Sequence, residues 1–335
     1  MGGWSAVDAP ILLRAAAIFL VVAGHLGLLR YGGGATTSLL AISGYLFGAL
    51  QTPQVFAARS LQPATRWLWK LFVPTMLFSV LLFSAKAVAG KHPSISTVLL
   101  LADFQDYSKL SPPHWGGHEF YLWFIHCLLQ ILAVVCLALA VVTRATDFRV
   151  SPMRFAAGLF GMACVTRFLL PAAIYPGFLT GRAPAFSPVA FLPTTHLATF
   201  MLGVMIALAA TRRQKAWVAA ALIGYALLTG LAFNPQQGLI ALVSGAALLM
   251  AGQAALPRPA AVLVMAVSGA SLFIYLTHFV ARDVLIWIHA PAWPALQVVV
   301  ALAAGIVLSQ AWTKANALLS RIVRQPPVAE PQLAI

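Results

Sequence analysis

The sequence predicts an all-α, polytopic membrane protein of about ten transmembrane helices with both termini in the cytoplasm, and three observations predict it. Of 335 residues, 61% are apolar and only 8% charged, where an ordinary soluble domain carries roughly a quarter charged. So little charge cannot cover the surface of a soluble globule. The apolar residues arrive in blocks of about 20, the length a helix needs to cross hydrocarbon. The 21 Lys and Arg outnumber the 7 Asp and Glu, and they fall on alternate connections between those blocks, as in cytoplasmic loops. A net charge of +14 on a soluble domain would suggest nucleic acid. With no such domain to present a basic face, no nucleic-acid partner is expected, and the lipid bilayer is.

The spans follow in order. The first, 12–29, opens with Arg14 and contains His25; the second, 35–50, is shorter. Arg59, Arg66 and Lys70 separate it from the third, 71–89. An outer loop, 90–119, carries Asp103, Asp106, His114, His118 and Glu119 among the turn-forming Pro112, Pro113, Gly116 and Gly117. The fourth span, 120–142, is joined to the fifth, 155–174, through Arg144, Arg149 and Arg154. The outer loop 175–195 is rich in Pro and Gly and holds Arg182. The sixth span, 196–210, begins at His196, and Arg212, Arg213 and Lys215 lead to the seventh, 217–233. The eighth, 238–255, is followed by Arg258 and the ninth, 262–281. The tenth, 296–316, is followed by Arg321 and Arg324. The opposite connections hold only Arg30, Lys91, Lys109 and Arg182, with Arg282 near the outer end of the ninth span, so the bias puts both termini inside. Residues 1–318 thus form one membrane domain. Residues 319–335 form a disordered tail, with three prolines in the seven residues from Gln325.

Three simpler readings weigh less. Residues 1–24 have the outline of a signal peptide, Arg14 preceding a short apolar run, but the pattern inside the segment argues for a retained span. Cys127, Cys136 and Cys164 lie in apolar stretches without a CxxC spacing and read as core residues. His114 and His118 have helical ligand spacing, but Gly116 and Gly117 interrupt it, so no metal is expected.

Ionisable residues inside a span are costly and usually face the protein interior or a wet cavity. Here they are Arg14, His25, His126, Arg167, His196 and His278. Arg14 and His25 lie eleven residues apart, close to three turns, so they share one helix face about 16 Å apart along the axis. A fixed cation at the cytoplasmic end in line with an imidazole suits a long anionic donor such as a coenzyme A thioester, with Arg on the phosphate end and His at the reacting end. The alternatives are a snorkelling flank and a core histidine. A small-molecule or proton-coupled transporter would instead string Arg14, His25, Arg167 and His278 along one pathway. It would need intramembrane acids for coupling, and Asp283 is the nearest case. No internal repeat supports an inverted-repeat transporter.

The segment from Leu13 through Arg14 to Gly24-His25 resembles the first-span signature of the membrane acyltransferase family 3. Further landmarks follow in order. Ile42-Ser43-Gly44-Tyr45-Leu46 is similar to the family's Ser-Gly-Phe/Tyr-Leu element, and the basic stretch from Arg59 to Lys70 ending at Pro74 to its first large cytoplasmic loop. Leu122-Trp123-Phe124-Ile125 after His118, Phe200-Met201-Leu202-Gly203, and Tyr275-Leu276-Thr277-His278 resemble its fourth-, sixth- and ninth-span motifs. The resemblance runs from about residue 8 to 315. It departs from the family pattern at Asp8, six residues before Arg14 rather than three, at Thr37, which stands where the family has Asp, and in the basic loop, where Arg66 and Lys70 come nearest to Arg-x-x-Arg.

The resemblance implies an integral membrane O-acyltransferase of the cell inner (plasma) membrane. It would move an acetyl group from cytosolic acetyl-CoA, the acyl donor, to a hydroxyl of a glycan, exopolysaccharide or lipid-linked sugar. It implies His25 as the catalytic residue, either a base or an acyl carrier, and Arg14 as the donor-side cation. Arg59, Arg66, Lys70 and Arg167 are the further candidates for coenzyme A; His118, Glu119, Trp123 and His278 are candidates for the acceptor. Ser43 reads as a packing residue beside Gly44. With no appended extracytoplasmic domain in the chain, the acyl group would pass directly to the acceptor or to a separate relay protein.

Overall fold

The computed structural model describes residues 3–29, 34–104, 121–144, 150–174, 191–250 and 252–323. A short strand, β1 (Trp4–Asp8), runs into α1 (Ala9–His25), followed by α2 (Ala35–Leu50), α3 (Thr52–Ala58), α4 (Gln62–Val88) and α5 (Ile95–Val98). A 3-10 turn at Ala102–Phe104 precedes α6 (Trp123–Arg144), α7 (Pro152–Ile174), α8 (Pro193–Leu208), α9 (Arg212–Ala232) and α10 (Pro235–Leu249). The chain ends with β2 (Gln253–Pro257), α11 (Arg258–Gly269), α12 (Ser271–Trp287) and α13 (Pro294–Val323). Proline in the first turn starts α1, α3, α4, α8, α10 and α11, where its missing N–H costs nothing. A capping box between Thr211 and Gln214 starts α9.

Among the described residues, four helices are long and apolar enough to cross a membrane: Gln62–Val88, Trp123–Arg144, Arg212–Ala232 and Pro294–Ser320. Ala9–His25, Pro193–Leu208 and Pro235–Leu249 are shorter apolar helices. Large apolar side chains stand exposed along the outside, among them Leu77 and Leu81 on α4, Leu227 and Leu231 on α9, and Val299 and Val307 on α13. A chain that turns such a surface outward is solvated by lipid rather than water.

Two expectations are corrected. The ninth span, expected as one helix over 262–281, is broken: α11 and α12 meet at Ala270 with an 81° bend. Ser268-Gly269-Ala270-Ser271 supplies only small residues there, the composition at which helices kink without proline. The eighth span, expected to reach residue 255, stops at Leu249. Residues Gln253–Pro257 pair antiparallel with Trp4–Asp8, from Trp4↔Pro257 to Asp8↔Gln253, so a two-stranded clasp interrupts the otherwise helical fold. Ala9 N–H donates to Gly252 O at 2.9 Å, and Gln253 Nε2 donates to Asp8 Oδ1 at 3.1 Å. The clasp ties the starts of α1 and α11, which pack on each other.

The centre is α8, buried from Thr195 to Ile206 on every face, as an all-round apolar helix must be. It packs most closely on α2 because glycines remove the side chains between them. A Cβ on Gly44 would fall on Phe200 O, one on Gly203 would fall on Ala41 O, and one on Gly48 would lie 2.9 Å from Val204 Cα. Gly44 and Gly203 thus serve backbone contact.

Candidate functional site

The site begins on α1, which is helical from Ala9 to His25 and therefore carries Arg14 and His25 on one face. The helix ends immediately after His25: Gly27 takes φ +76° and Leu28 N–H reaches back to Ala23 O at 2.9 Å, the glycine-terminated stop that an L side chain resists.

Arg14 stands where two hollows meet. One is a narrow cavity of about 500 Å³, counting space open to solvent. Its lining includes Ser43, Trp67, Phe124, Ser271 and Tyr275. The other is a broad groove of about 1640 Å³ on the same basis, lined by Arg66, Lys70, Trp69, Pro74, Trp312 and Asn316 among others. Arg14, Leu71 and Leu272 border both. Three cations from α1 and α4 thus share one groove, and the narrow cavity leads from it into the bundle. The break at Ala270 contributes here, because it puts the first turn of α12, Ser271 and Leu272, in the cavity wall. A helix N-terminus carries partial positive charge.

At the far end of α1, His25 Nδ1 lies 3.0 Å from His278 Nε2, and His278 Nδ1 lies 2.6 Å from Tyr275 O. The His25 and His278 ring planes are 19° apart with centroids at 5.2 Å, so the two rings meet edge to edge. Tyr121 lies 4.9 Å from His25, and Phe279 stacks on Tyr121 at 3.7 Å. Arg282, paired with Asp283, sits over Phe279 at 4.7 Å. Tyr275 links the two regions: its ring lines the cavity and lies 5.7 Å from His278, and its hydroxyl donates to Tyr121 O. His278 is buried and His25 half-buried; neither lines the cavity itself.

The other expected residues lie elsewhere. Arg59 is exposed at the end of α3 with φ 47° and borders neither hollow. Arg167 is buried on α7, donates from Nη1 to Thr195 O, and stands 4.4 Å over Phe233 and 5.4 Å over Tyr225. It ties α7, α8 and α9 together and lines neither hollow. Trp123 packs inside, 4.9 Å from Phe191 and 5.4 Å from His196. His118 and Glu119 lie outside the described residues. Sequence reading missed Ser43 and Tyr275 as cavity residues and Tyr121 and Phe279 as the aromatic neighbours of His25. Tyr275 had a signal, since it stands one helical turn before His278.

Of the described carboxylates, Asp8 accepts from Gln253 and Asp283 from Arg282. Asp103 accepts from Gln130 Nε2 at 2.9 Å. None of these bonds involves Arg14, so Arg14 is paired with no described acid. Asp103, in the connection before α6, is fully buried beside His126, which accepts from Ala102 N–H. Burial pushes the Asp103 carboxyl up from 3.8 to about 7, opposed by its backbone and Gln130 hydrogen bonds. Between those values the folded chain binds the proton and the unfolded chain does not, so stability falls as pH rises through that window. Three pH units correspond to at most about 4 kcal/mol. Thermal unfolding of purified protein between pH 5 and 8 is expected to show a falling midpoint for wild type and a flatter profile for Asp103→Asn. Parallel profiles would place the Asp103 proton elsewhere. Among the described residues no group of His, Cys, Asp and Glu could hold a metal ion.

A family model described as an acyltransferase domain matches residues 7–313. No curated protein and no solved structure matches the chain.

Proposed function

The chain belongs to the membrane acyltransferase family 3, and from that premise we propose that it is a multi-pass O-acyltransferase of the inner (plasma) membrane. It moves an acetyl group from cytosolic acetyl-CoA to a hydroxyl of a glycan, exopolysaccharide or lipid-linked sugar. In this reading the ten spans leave both termini, the Arg14–Arg66–Lys70 groove and the mouth of the cavity on the cytoplasmic side.

One observation carries the reading: a three-cation groove meets, at Arg14, a narrow cavity whose wall residue Tyr275 also lies 5.7 Å from His278 of a histidine pair. Coenzyme A has the matching outline, a polyanionic head on a long neutral arm ending in a thioester. Arg14, Arg66 and Lys70 hold the phosphates, the first turn of α12 borders the arm, and the acyl end passes Tyr275 to reach His25. There His25 takes the proton of the acceptor hydroxyl as its oxygen attacks the thioester. Alternatively, His25 itself takes the acyl group, releases the CoA thiolate, and passes the acyl group on. The acceptor approaches from the side of Tyr121, the half-buried aromatic neighbour of His25. A relay protein stands as the other recipient.

The transporter alternative required Arg14, His25, Arg167 and His278 on one pathway, whereas Arg167 is bonded to Thr195 and covered by Phe233. Membranes given radiolabelled acetyl-CoA test the proposal. Label is expected in a glycan or lipid-sugar fraction, and Arg14→Ala is expected to raise the KM for acetyl-CoA by about tenfold, the loss of one phosphate-side cation. Label that never leaves the donor with wild-type protein present would sink it.

A further inference from the structure

We infer that His278 is a positioning residue: it holds His25 in the tautomer that carries its proton on Nδ1 and leaves Nε2 as the reacting nitrogen. The inference rests on the acyl-transfer reading for its chemistry but not for its geometry.

The chain of bonds has only one direction. A backbone carbonyl accepts and never donates, so at 2.6 Å from Tyr275 O the Nδ1 of His278 must carry a hydrogen. A neutral imidazole has one N–H, so His278 Nε2 is then a lone pair. Its neighbour at 3.0 Å, His25 Nδ1, must donate to it. A base or nucleophile works in the neutral form, and in that form the lone pair of His25 is on Nε2. That nitrogen makes no hydrogen bond among the described residues. Tyr121 and Phe279 flank the ring at 4.9 and 5.7 Å and limit its rotation. Tyr275 anchors the relay from both ends, its carbonyl to His278 and its hydroxyl to Tyr121 O.

The relay serves the transfer step. The acceptor O–H gives its proton to His25 Nε2 while its oxygen bonds to the acyl carbon. The C–S bond breaks, and the CoA thiolate takes the proton back from Nε2. While His25 is an imidazolium its Nδ1–H bond to His278 is charge-assisted and stronger. His278 thus does, with a neutral ring, what a buried carboxylate does for other catalytic histidines.

The test pairs two replacements. His278→Gln keeps an acceptor near the place of Nε2; His278→Leu keeps volume and removes it. Both are checked for folding by thermal unfolding and assayed for kcat and for the KM of acetyl-CoA. The tautomer of His25 is read from long-range ¹H–¹⁵N correlations of ¹⁵N-histidine protein in detergent, assigned by difference with His25→Gln. In wild type, Nδ1 of His25 is expected to be protonated and Nε2 not. His278→Leu is expected to lose that signature and about 10²-fold in kcat with KM unchanged, and His278→Gln to recover to within about tenfold of wild type. A wild-type His25 protonated on Nε2, or a His278→Leu variant with unchanged tautomer and kcat, would overturn the inference. Wild type without acyl transfer would instead count against the functional reading, and the spectrum would still decide the tautomer.

Discussion

His25→Ala is expected to lower kcat for acyl transfer by about 10³-fold, equivalent to about 4 kcal/mol of transition-state stabilisation. The KM for acetyl-CoA should hold within about threefold. The split follows from the layout. In the proposed reading the donor's charged end lies at Arg14, Arg66 and Lys70, which line one groove, about 16 Å along α1 from the imidazole. Removing the ring therefore takes away an interaction made in the transition state and leaves ground-state binding of the donor in place. The fold should survive, because His25 is half-buried at the last turn of its helix and the stop at Gly27 is made by backbone bonds. Steady-state kinetics on purified protein, with thermal unfolding as the control, checks both halves. A kcat within threefold of wild type would remove His25 from the chemistry, whatever the KM did.

The part of this site that lies on one helix was legible in the sequence. Arg14 and His25 share a face through the 3.6-residue period alone, and α1 runs unbroken between them. The apolar lengths of α4, α6, α9 and α13 were legible for the same reason, since hydropathy is a local property. What was hidden depends on long-range contact. His278 meets His25 across 253 residues of chain, and no spacing rule reaches that far; its motif marked it as an acceptor candidate, not as the neighbour of His25. Tyr121 and Phe279 meet by the same tertiary accident. The clasp joins two five-residue strands about 250 residues apart, Trp4–Asp8 and Gln253–Pro257, each too short to overrule the helical pattern beside it. The bend at Ala270 was masked differently. Ser268, Gly269, Ala270 and Ser271 keep the window apolar enough to score as one span, although they supply the small residues that let it break. Arg167 was singled out by its depth. Depth says that a buried cation needs partners but not which ones, and its partners proved to be a carbonyl and three aromatic rings.

Gly203→Leu, on the α2–α8 contact, is expected to cost about 3 kcal/mol or more and to deplete folded protein. A Cβ at this position falls on Ala41 O and within 2.8 Å of Tyr45 N, both backbone atoms. No rotamer relieves such a clash, so the helices must separate. Separation undoes the reciprocal contacts of Gly44 with Phe200 and Gly48 with Val204, and within a membrane no hydrophobic drive restores them, because lipid solvates the parted faces as well as the partner did. It also reaches the site: Leu39, Ser43 and Leu46 of α2 line the cavity that begins at Arg14, so a variant that folds at all should bind the donor worse. The control is Gly161→Ala on α7, where nothing lies within 4 Å of the added Cβ and the exchange should be neutral or stabilising by up to about 1 kcal/mol. Thermal unfolding and the yield of monodisperse protein read both variants. Equal midpoints for Gly203→Leu and Gly161→Ala would show that α2 and α8 do not meet through backbone, and the cavity built on that contact would have to be redrawn.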